Sequence, residues 1–187
     1  MAGWDLKVGE IKQTYVTDED IWKALNQFYS YGSTTMSYKY GLLKSLIENL
    51  YNVNENLELK FSDLFYSFTK IYWNLVIHHQ LWQSNSKKQP SSIQKNLEDF
   101  CLKYSIPSEW TFDKLPDDFQ IEILEKIKNI GKRYVIGAFY SDTNSYFYEF
   151  DLKREYLKFN APVYRFLQKH QRTVTYLTNY QYEILRK

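Results

Sequence analysis

Near the middle of the chain lies the segment Phe61–Trp82, FSDLFYSFTKIYWNLVIHHQLW, whose apolar residues recur every three or four positions. On a helix these residues form one continuous stripe. The opposite side is hardly more polar, because Trp73, Val76 and Ile77 fall there. A helix that is apolar nearly all round must be covered on most sides. The segment therefore predicts a central, buried helix.

Helical periodicity recurs on both sides of this segment and predicts a bundle around it. The predicted helices span 18–29, 38–51, 93–104, 113–131, 162–170 and 173–186. Thr17 is the expected N-cap of the first helix, and Gly131 is the expected stop of the helix over 113–131. Residues 1–17 have no clear period and are expected to form an irregular lead-in.

A different pattern occupies residues 133–159. The run RYVIGAFY over 133–140 is rich in β-branched and aromatic residues, 141–144 has turn chemistry, and 145–150 alternates. A third short strand is predicted over 155–159. Because so small a β element is unstable alone, it should pack on the helices.

Together these patterns predict a mainly α (α+β) fold. A helical bundle surrounds the central helix (about 61–82), with a small antiparallel β-hairpin or meander near 133–159. We expect one domain over 1–187, in which 18–132 form the helical core and 160–187 form a C-terminal helical pair.

The composition favours a cytoplasmic protein. The single Cys101 excludes an internal disulfide and a cysteine-based zinc site. No apolar run reaches the ~20 residues that span a membrane, and the N-terminus MAGWDLKVGEIK lacks the apolar core of a signal peptide. We therefore expect no membrane partner.

Charge and aromatic content point weakly to a phosphate-bearing partner. The chain has 18 Tyr, 12 Phe and 5 Trp, and its net charge is only +2. Residues 131–187, however, carry ten Lys/Arg against five Asp/Glu. A basic, Tyr-rich C-terminal third is compatible with nucleic-acid binding. An ordinary solvated face is the alternative, and composition alone favours it.

Metal and catalytic motifs are sparse. The adjacent His78 and His79 would point about 100° apart on a regular helix and could not both ligate one metal. We interpret them as polar groups on a mostly buried helix. Asp142 with Asp151 and Lys153 is the nearest approach to a carboxylate nuclease site, although such short patterns arise by chance. We therefore predict no catalytic residue, no metal site and no cofactor.

Two segments could contact an anion. Ser33, Thr34 and Thr35 precede the helix over 38–51, where free backbone N–H groups and the following Lys39 would make a phosphate seat. An ordinary capped helix entry is the alternative. In the polar loop over 84–92, Lys87 and Lys88 could touch a nucleic-acid backbone or simply form a solubilising tip.

Several ordered motifs carry a family resemblance. They are TTMSYKYGLLKSLIE (34–48), FSDL (61–64), IYWN (71–74), LWQS (81–84), SSI (91–93), FCLKYSIP (100–107), VIGAFY (135–140) and PVYRFL (162–167). In this order they resemble the N-terminal region of bacterial proteins called HNH endonucleases, over about residues 20–187.

In that family the nuclease module follows this region, with its own His, Asn and His around a divalent metal. This chain contains no such element before Lys187, so no catalytic residue carries over, and a divalent metal is expected only where such a module is present. The resemblance implies a non-catalytic domain that targets, regulates or dimerises a nuclease in defence against phage.

Three functional hypotheses follow. The first is a recognition domain of an HNH-type nuclease system that binds DNA. Its candidate contact residues are Ser33, Thr34, Thr35, Lys39, Gln83, Lys87, Lys88, Arg133, Lys153, Arg154, Arg165, Lys169 and Arg172. The second is a protein-interaction or oligomerisation module, which binds a second copy or a nuclease subunit. The third is a stand-alone metal-dependent nuclease that uses Asp142, Asp151 and Lys153.

Overall fold

The computed structural model describes residues 5–31, 37–81, 83 and 90–185. Its helices are α1 (Asp18–Tyr31), α2 (Tyr38–Glu48), α3 (Phe61–Trp73), α4 (Ser92–Tyr104), α5 (Asp117–Tyr134), α6 (Ile136–Asp142) and α7 (Ala161–Leu185). Its strands are β1 (Val8–Gly9), β2 (Glu58–Lys60), β3 (Tyr148–Asp151) and β4 (Tyr156–Phe159). The predicted fold class, mainly α with a small antiparallel sheet, is confirmed.

Helix α3 lies at the centre of the core, as its periodicity predicts. It packs against α2 and α5, and also contacts α4 and β2. Five of its six large aromatic side chains are at most 1% exposed, and Tyr66 is the exception; the five are Phe61, Phe65, Phe68, Tyr72 and Trp73. Burying each such side chain contributes about 1.5–3 kcal/mol relative to leaving it in water. The other elements are therefore arranged around α3.

The central helix is shorter than predicted. After Trp73 the backbone continues as one π-helical turn, Asn74–His78, and Gln80 has a positive φ of 51°, which is outside the range of a right-handed helix. Asn74 Oδ1 accepts a hydrogen bond from the Phe112 backbone N–H at 3.0 Å, which ties this turn to the segment before α5. The prediction of a helix extending to Trp82 was wrong, and Trp82 itself lies outside the described residues.

The prediction of a strand over 133–140 was also wrong. Helix α5 runs through Gly131 to Tyr134, and α6 follows directly after Val135. The apolar residues of this run are buried at helical spacing; they are Val135, Ile136, Phe139 and Tyr140. Packing of these residues into the helical core outweighs the β propensity of their residue types. Gly131 is therefore an interior helix residue and not a stop.

The sheet has the order β1-β3-β4-β2, and every pair is antiparallel. Strands β3 and β4 form a hairpin in which Phe150 lies opposite Leu157; they confirm the strands predicted near 145–150 and 155–159. The edge strands are β1, which lies in the segment 1–17 that was expected to be irregular, and β2, which lies in the loop before α3. Ion pairs from Lys128 and Lys132 of α5 to Glu155 hold the hairpin turn against the helices, at 3.1 and 2.6 Å.

Helix α7 corresponds to the predicted C-terminal pair of helices. It extends from Ala161 to Leu185 and kinks at His170, whose φ and ψ are −110° and 16°. Its inner face packs against α1 and α2. The residues of that face are fully buried; they are Val163, Phe166, Leu167, Val174 and Thr178. This packing fixes which residues α7 presents to solvent.

Candidate nucleic-acid interface

The solvent face of α7 brings together three of the predicted basic residues. Arg165 and Lys169 are four residues apart before the kink at His170, so they share one side of that part of the helix. Arg172 follows the kink, and all three residues are exposed. Tyr176 and Tyr180 follow Arg172 at steps of four residues, so these three share one side of α7 after the kink, and the two tyrosines are 74% and 58% exposed. We call these five residues the α7 stripe.

Packing on the opposite side of α7 orients the stripe. Phe166 lies edge-on to Trp22 of α1, with ring centroids 4.9 Å apart, and His170 contacts the same indole at 5.4 Å. On the other flank, the Tyr164 hydroxyl donates to the Leu50 carbonyl at 2.9 Å. The helix therefore cannot rotate its stripe inward without breaking these contacts.

The cations of the stripe differ in their pairing. Lys169 Nζ donates to Asp18 Oδ2 at 3.0 Å, and this hydrogen bond is the largest cause of the lowered pKa of Asp18. His170 Nε2 lies 3.7 Å from the same oxygen. Arg165 and Arg172 make no ion pair with any residue that the structure describes. Their guanidinium groups are therefore available to an anion from solution.

This arrangement has chemistry suited to a nucleic-acid strand. A guanidinium group presents a planar fork of N–H donors that matches a phosphate. Exposed tyrosine rings stack on unpaired bases, whichever base is present. A basic surface combined with exposed aromatic rings is typical of proteins that bind single strands. The spacing of 165, 169, 172 and 176 was readable from the sequence, but exposure of the tyrosines was not.

The other predicted basic contacts lie on separate elements. The guanidinium group of Arg133, at the end of α5, lies 5.0 Å from the centre of the Tyr134 ring. Lys153 and Arg154 are exposed in the β3–β4 turn, where Arg154 Nε is 3.7 Å from Asp151. Lys39 pairs with Asp142, and its side chain is only 13% exposed. None of these residues belongs to the α7 stripe.

Gln83 occupies a buried polar cluster instead of the surface. Its Oε1 accepts a hydrogen bond from Ser37 Oγ at 2.6 Å, and its carbonyl accepts one from the Ser37 backbone N–H at 3.1 Å. Ser37 Oγ also lies 3.0 Å from the Tyr72 hydroxyl, whose pKa is raised by burial. Gln83 therefore ties the start of α2 to the chain after α3. Ser33, Thr34, Thr35, Lys87 and Lys88 lie outside the described residues, and their roles stay predictions.

The carboxylates of the third hypothesis have structural partners. Asp142 ends α6, and so it does not lie on the hairpin where the sequence placed it. Asp151 Oδ1 accepts hydrogen bonds from the backbone N–H groups of Arg154 and Lys153 at 3.0 and 2.8 Å. These bonds, with that of Arg154 first, lower the pKa of Asp151. Asp151 thus caps the β3–β4 turn.

The adjacent histidines lie at the end of the π-helical turn. Their rings meet edge-on at 4.7 Å, and His78 Nδ1 is 3.1 Å from the Glu109 carbonyl oxygen. In the described parts of the chain, no group of three or more His, Cys, Asp or Glu side chains is arranged to hold a metal. The same parts contain no helix that is both long enough and apolar enough for a bilayer.

No protein-family model matches the chain, and searches of curated proteins and of solved structures found no match. The resemblance to HNH endonucleases thus depends on the sequence motifs alone.

Proposed function

We propose that this protein is a non-catalytic recognition domain that binds single-stranded DNA along the α7 stripe. The observation that carries the proposal is the exposure, on the solvent side of α7, of two tyrosine rings and of two guanidinium groups that form no ion pair with a described residue. The sequence resemblance adds the setting: such a domain would place an HNH-type nuclease on its DNA, in the cytoplasm of a bacterium that defends itself against phage.

The expected contributions to binding favour a role for both the tyrosines and the arginines of the stripe. Stacking of a base on an aromatic side chain contributes about 1–3 kcal/mol. Phosphate contacts by Arg165 and Arg172 would release counterions, which makes the affinity depend on salt. Tyr176 and Tyr180 lie one turn apart on α7, so two neighbouring bases could stack on them while the arginines hold the backbone.

The test is fluorescence anisotropy with a labelled single strand and with the duplex of the same sequence, at low salt. Arg165→Ala/Arg172→Ala should weaken binding to both DNAs, because both carry phosphates. Tyr176→Ala/Tyr180→Ala should weaken binding to the single strand only. Lys114→Ala removes an exposed lysine from another part of the surface and should leave both affinities unchanged. Absence of binding at low salt, or equal effects of Lys114→Ala and the double arginine variant, would refute the proposal.

A second function is favoured by one feature of the same helix. Tyr176, Leu177 and Tyr180 are exposed together near the C-terminal end of α7, and aromatic residues are enriched at protein interfaces. The protein would then be an oligomerisation or protein-interaction module. Light scattering that shows a concentration-dependent dimer, lost in Tyr176→Ser/Tyr180→Ser and accompanied by no DNA affinity, would support this function over the first.

A further inference from the structure

A polar pocket opens beside α7, between the end of α2, the turn Leu50–Asn52 and α3. Its volume is about 510 Å³, within the range of roughly 300–1,000 Å³ that is usual for small-ligand sites. Gln171 of α7 contributes to its wall. The pocket is separate from the buried cluster around Gln83 and uses none of the predicted contact residues.

Two exposed tyrosines belong to the rim of the pocket. Tyr51 is 83% exposed and Tyr66 is 42% exposed. Tyr66 is held in place by Phe112, which its ring meets edge-on at 5.6 Å. Exposed aromatic rings at a polar pocket offer flat faces on which a planar ligand can stack. A nucleobase is such a ligand.

The floor of the pocket is fixed by hydrogen bonds. Asn49 is buried, and its Nδ2 donates to the Ser45 carbonyl at 2.8 Å and to Ser67 Oγ at 2.9 Å. Asn49 Oδ1 accepts a hydrogen bond from Asn52 Nδ2 at 2.8 Å. These bonds hold Asn52 against the floor, so the pocket is largely formed before any ligand enters.

The carboxylates in the wall select for hydrogen-bond donors. Glu48 of α2 and Asp63 of α3 both line the pocket, and ionised carboxylates only accept hydrogen bonds. Desolvation raises the pKa of Glu48, while Lys44 and Lys70 act in the opposite direction. Lys70 itself is engaged with Asp113 at 2.8 Å. A ligand edge that carries N–H donors therefore fits this wall better than one that carries only carbonyl oxygens.

The pocket lies next to the α7 stripe. Gln171 and Arg172 are consecutive residues of α7, so their side chains point about 100° apart around the helix axis. Because Gln171 lines the pocket, a DNA backbone held at Arg172 would lie close to it. A base on that side of the strand could then reach the wall while its neighbours remain near Tyr176.

We propose that this pocket receives one unstacked base of the bound strand, and that it prefers bases with an exocyclic amino group. The base would stack on Tyr51 and donate hydrogen bonds to Glu48, while Tyr66 and Asp63 complete the lining. Guanine, adenine and cytosine carry such an amino group, and thymine does not. This inference depends on the proposed function, because the α7 stripe delivers the strand.

The experiment compares labelled oligothymidylate with the same oligonucleotide that carries one central dG. The wild-type protein should bind the dG oligonucleotide roughly tenfold more tightly, the scale of one good base contact. Tyr51→Ala and Glu48→Gln should each remove most of this gain and leave the affinity for oligothymidylate unchanged. Tyr15→Ala is the matched control, because Tyr15 is 91% exposed and contributes to neither surface. Circular dichroism checks that each variant is folded.

The outcomes separate the two proposals. Equal affinities for both oligonucleotides, with no effect of Tyr51→Ala or Glu48→Gln, would overturn the base pocket and leave binding by the stripe intact. Absence of binding to any oligonucleotide at low salt would overturn both. A gain for dG that survives both pocket substitutions would show that the base is recognised elsewhere, which also overturns the inference.

Discussion

Gly131 of α5 offers a sharp test of how closely α5 packs on the central helix. A Cβ atom added at Gly131 would collide with Phe65 Cε1 and lie 2.7 Å from Phe65 Cζ. Phe65 cannot move aside, because it is 0% exposed and meets Phe61 and Phe68 edge-on at 5.6 and 5.7 Å. Gly131→Ala should therefore strain the contact between α3 and α5.

Two opposing effects determine how far Gly131→Ala lowers the free energy of unfolding. Overpacking a well-packed core costs about 1–3 kcal/mol, whereas replacing an interior helical glycine by alanine gains up to about 1 kcal/mol. Because the Phe65 ring is confined, we expect Gly131→Ala to lower the free energy of unfolding by about 1–2 kcal/mol. For a chain of this size, each kcal/mol lowers the melting temperature by roughly 2–4 °C.

Urea unfolding followed by tryptophan fluorescence measures this loss. Asn129→Ala is the control, because Asn129 is exposed on the same helix and its replacement should be neutral or slightly stabilising. Phe65→Leu/Gly131→Ala should be less destabilised than the sum of its single variants, since the smaller side chain makes room for the methyl group. A Gly131→Ala protein that is more stable than wild type would refute this account of the packing.

Three further changes test electrostatic and hydrogen-bond contacts. The Tyr104 hydroxyl, together with Lys126 and Lys103, lowers the pKa of Glu122 from 4.5 to about 2. The ionised Glu122 therefore stabilises the fold above pH 4.5, and this contribution disappears as the pH falls towards about 2. Glu122→Gln should therefore be less stable than wild type at neutral pH, and acid titration of the unfolding free energy should show the difference vanishing across that window. Glu155→Gln removes an anionic partner from Lys128, whose side chain is 10% exposed. Because the Glu155 side chain is 38% exposed, urea unfolding should show that the free energy of unfolding falls by only about 1 kcal/mol. Tyr72→Phe removes the hydroxyl beside Ser37 and should lower the melting temperature through a loss of about 1 kcal/mol.

Local periodicity was sufficient to predict the helices other than α6. The apolar stripe from Phe61 to Tyr72 repeats at 3.6 residues, and burial follows it directly. Thr17 was recognisable as an N-cap, and the structure confirms this: Thr17 Oγ1 accepts from the Asp20 N–H at 3.2 Å, while Asp20 Oδ2 accepts from the Thr17 N–H at 2.9 Å. Such signals depend on residues that are close together in the sequence.

The errors arose where distant contacts determine the local structure. The run over 133–140 contains strand-forming residue types, but it is buried as a helix against the rest of the core. Val8–Gly9 and Glu58–Lys60 become strands only because the β3–β4 hairpin offers them free edges. No local pattern marks segments so short as strands.

The candidate site was predictable only in part. The basic residues of α7 were on the list of candidates, but so were Lys39 and Gln83, which the fold turns inward. The pocket at Tyr51 and Glu48 was missed, because eight of its lining residues lie between positions 48 and 70 but the ninth, Gln171 of α7, lies about a hundred positions further on. Only the folded structure shows that Gln171 lies beside those residues.

The most direct measurement is the salt dependence of single-stranded DNA binding by the wild type and by Arg165→Ala/Arg172→Ala. Each phosphate contact contributes about −0.7 to the slope of log affinity against log salt. If both arginines bind phosphates, the variant should have a slope that is shallower by about 1.4 and a weaker affinity at low salt. Identical slopes for the two proteins would contradict the assignment of α7 as the DNA-binding face.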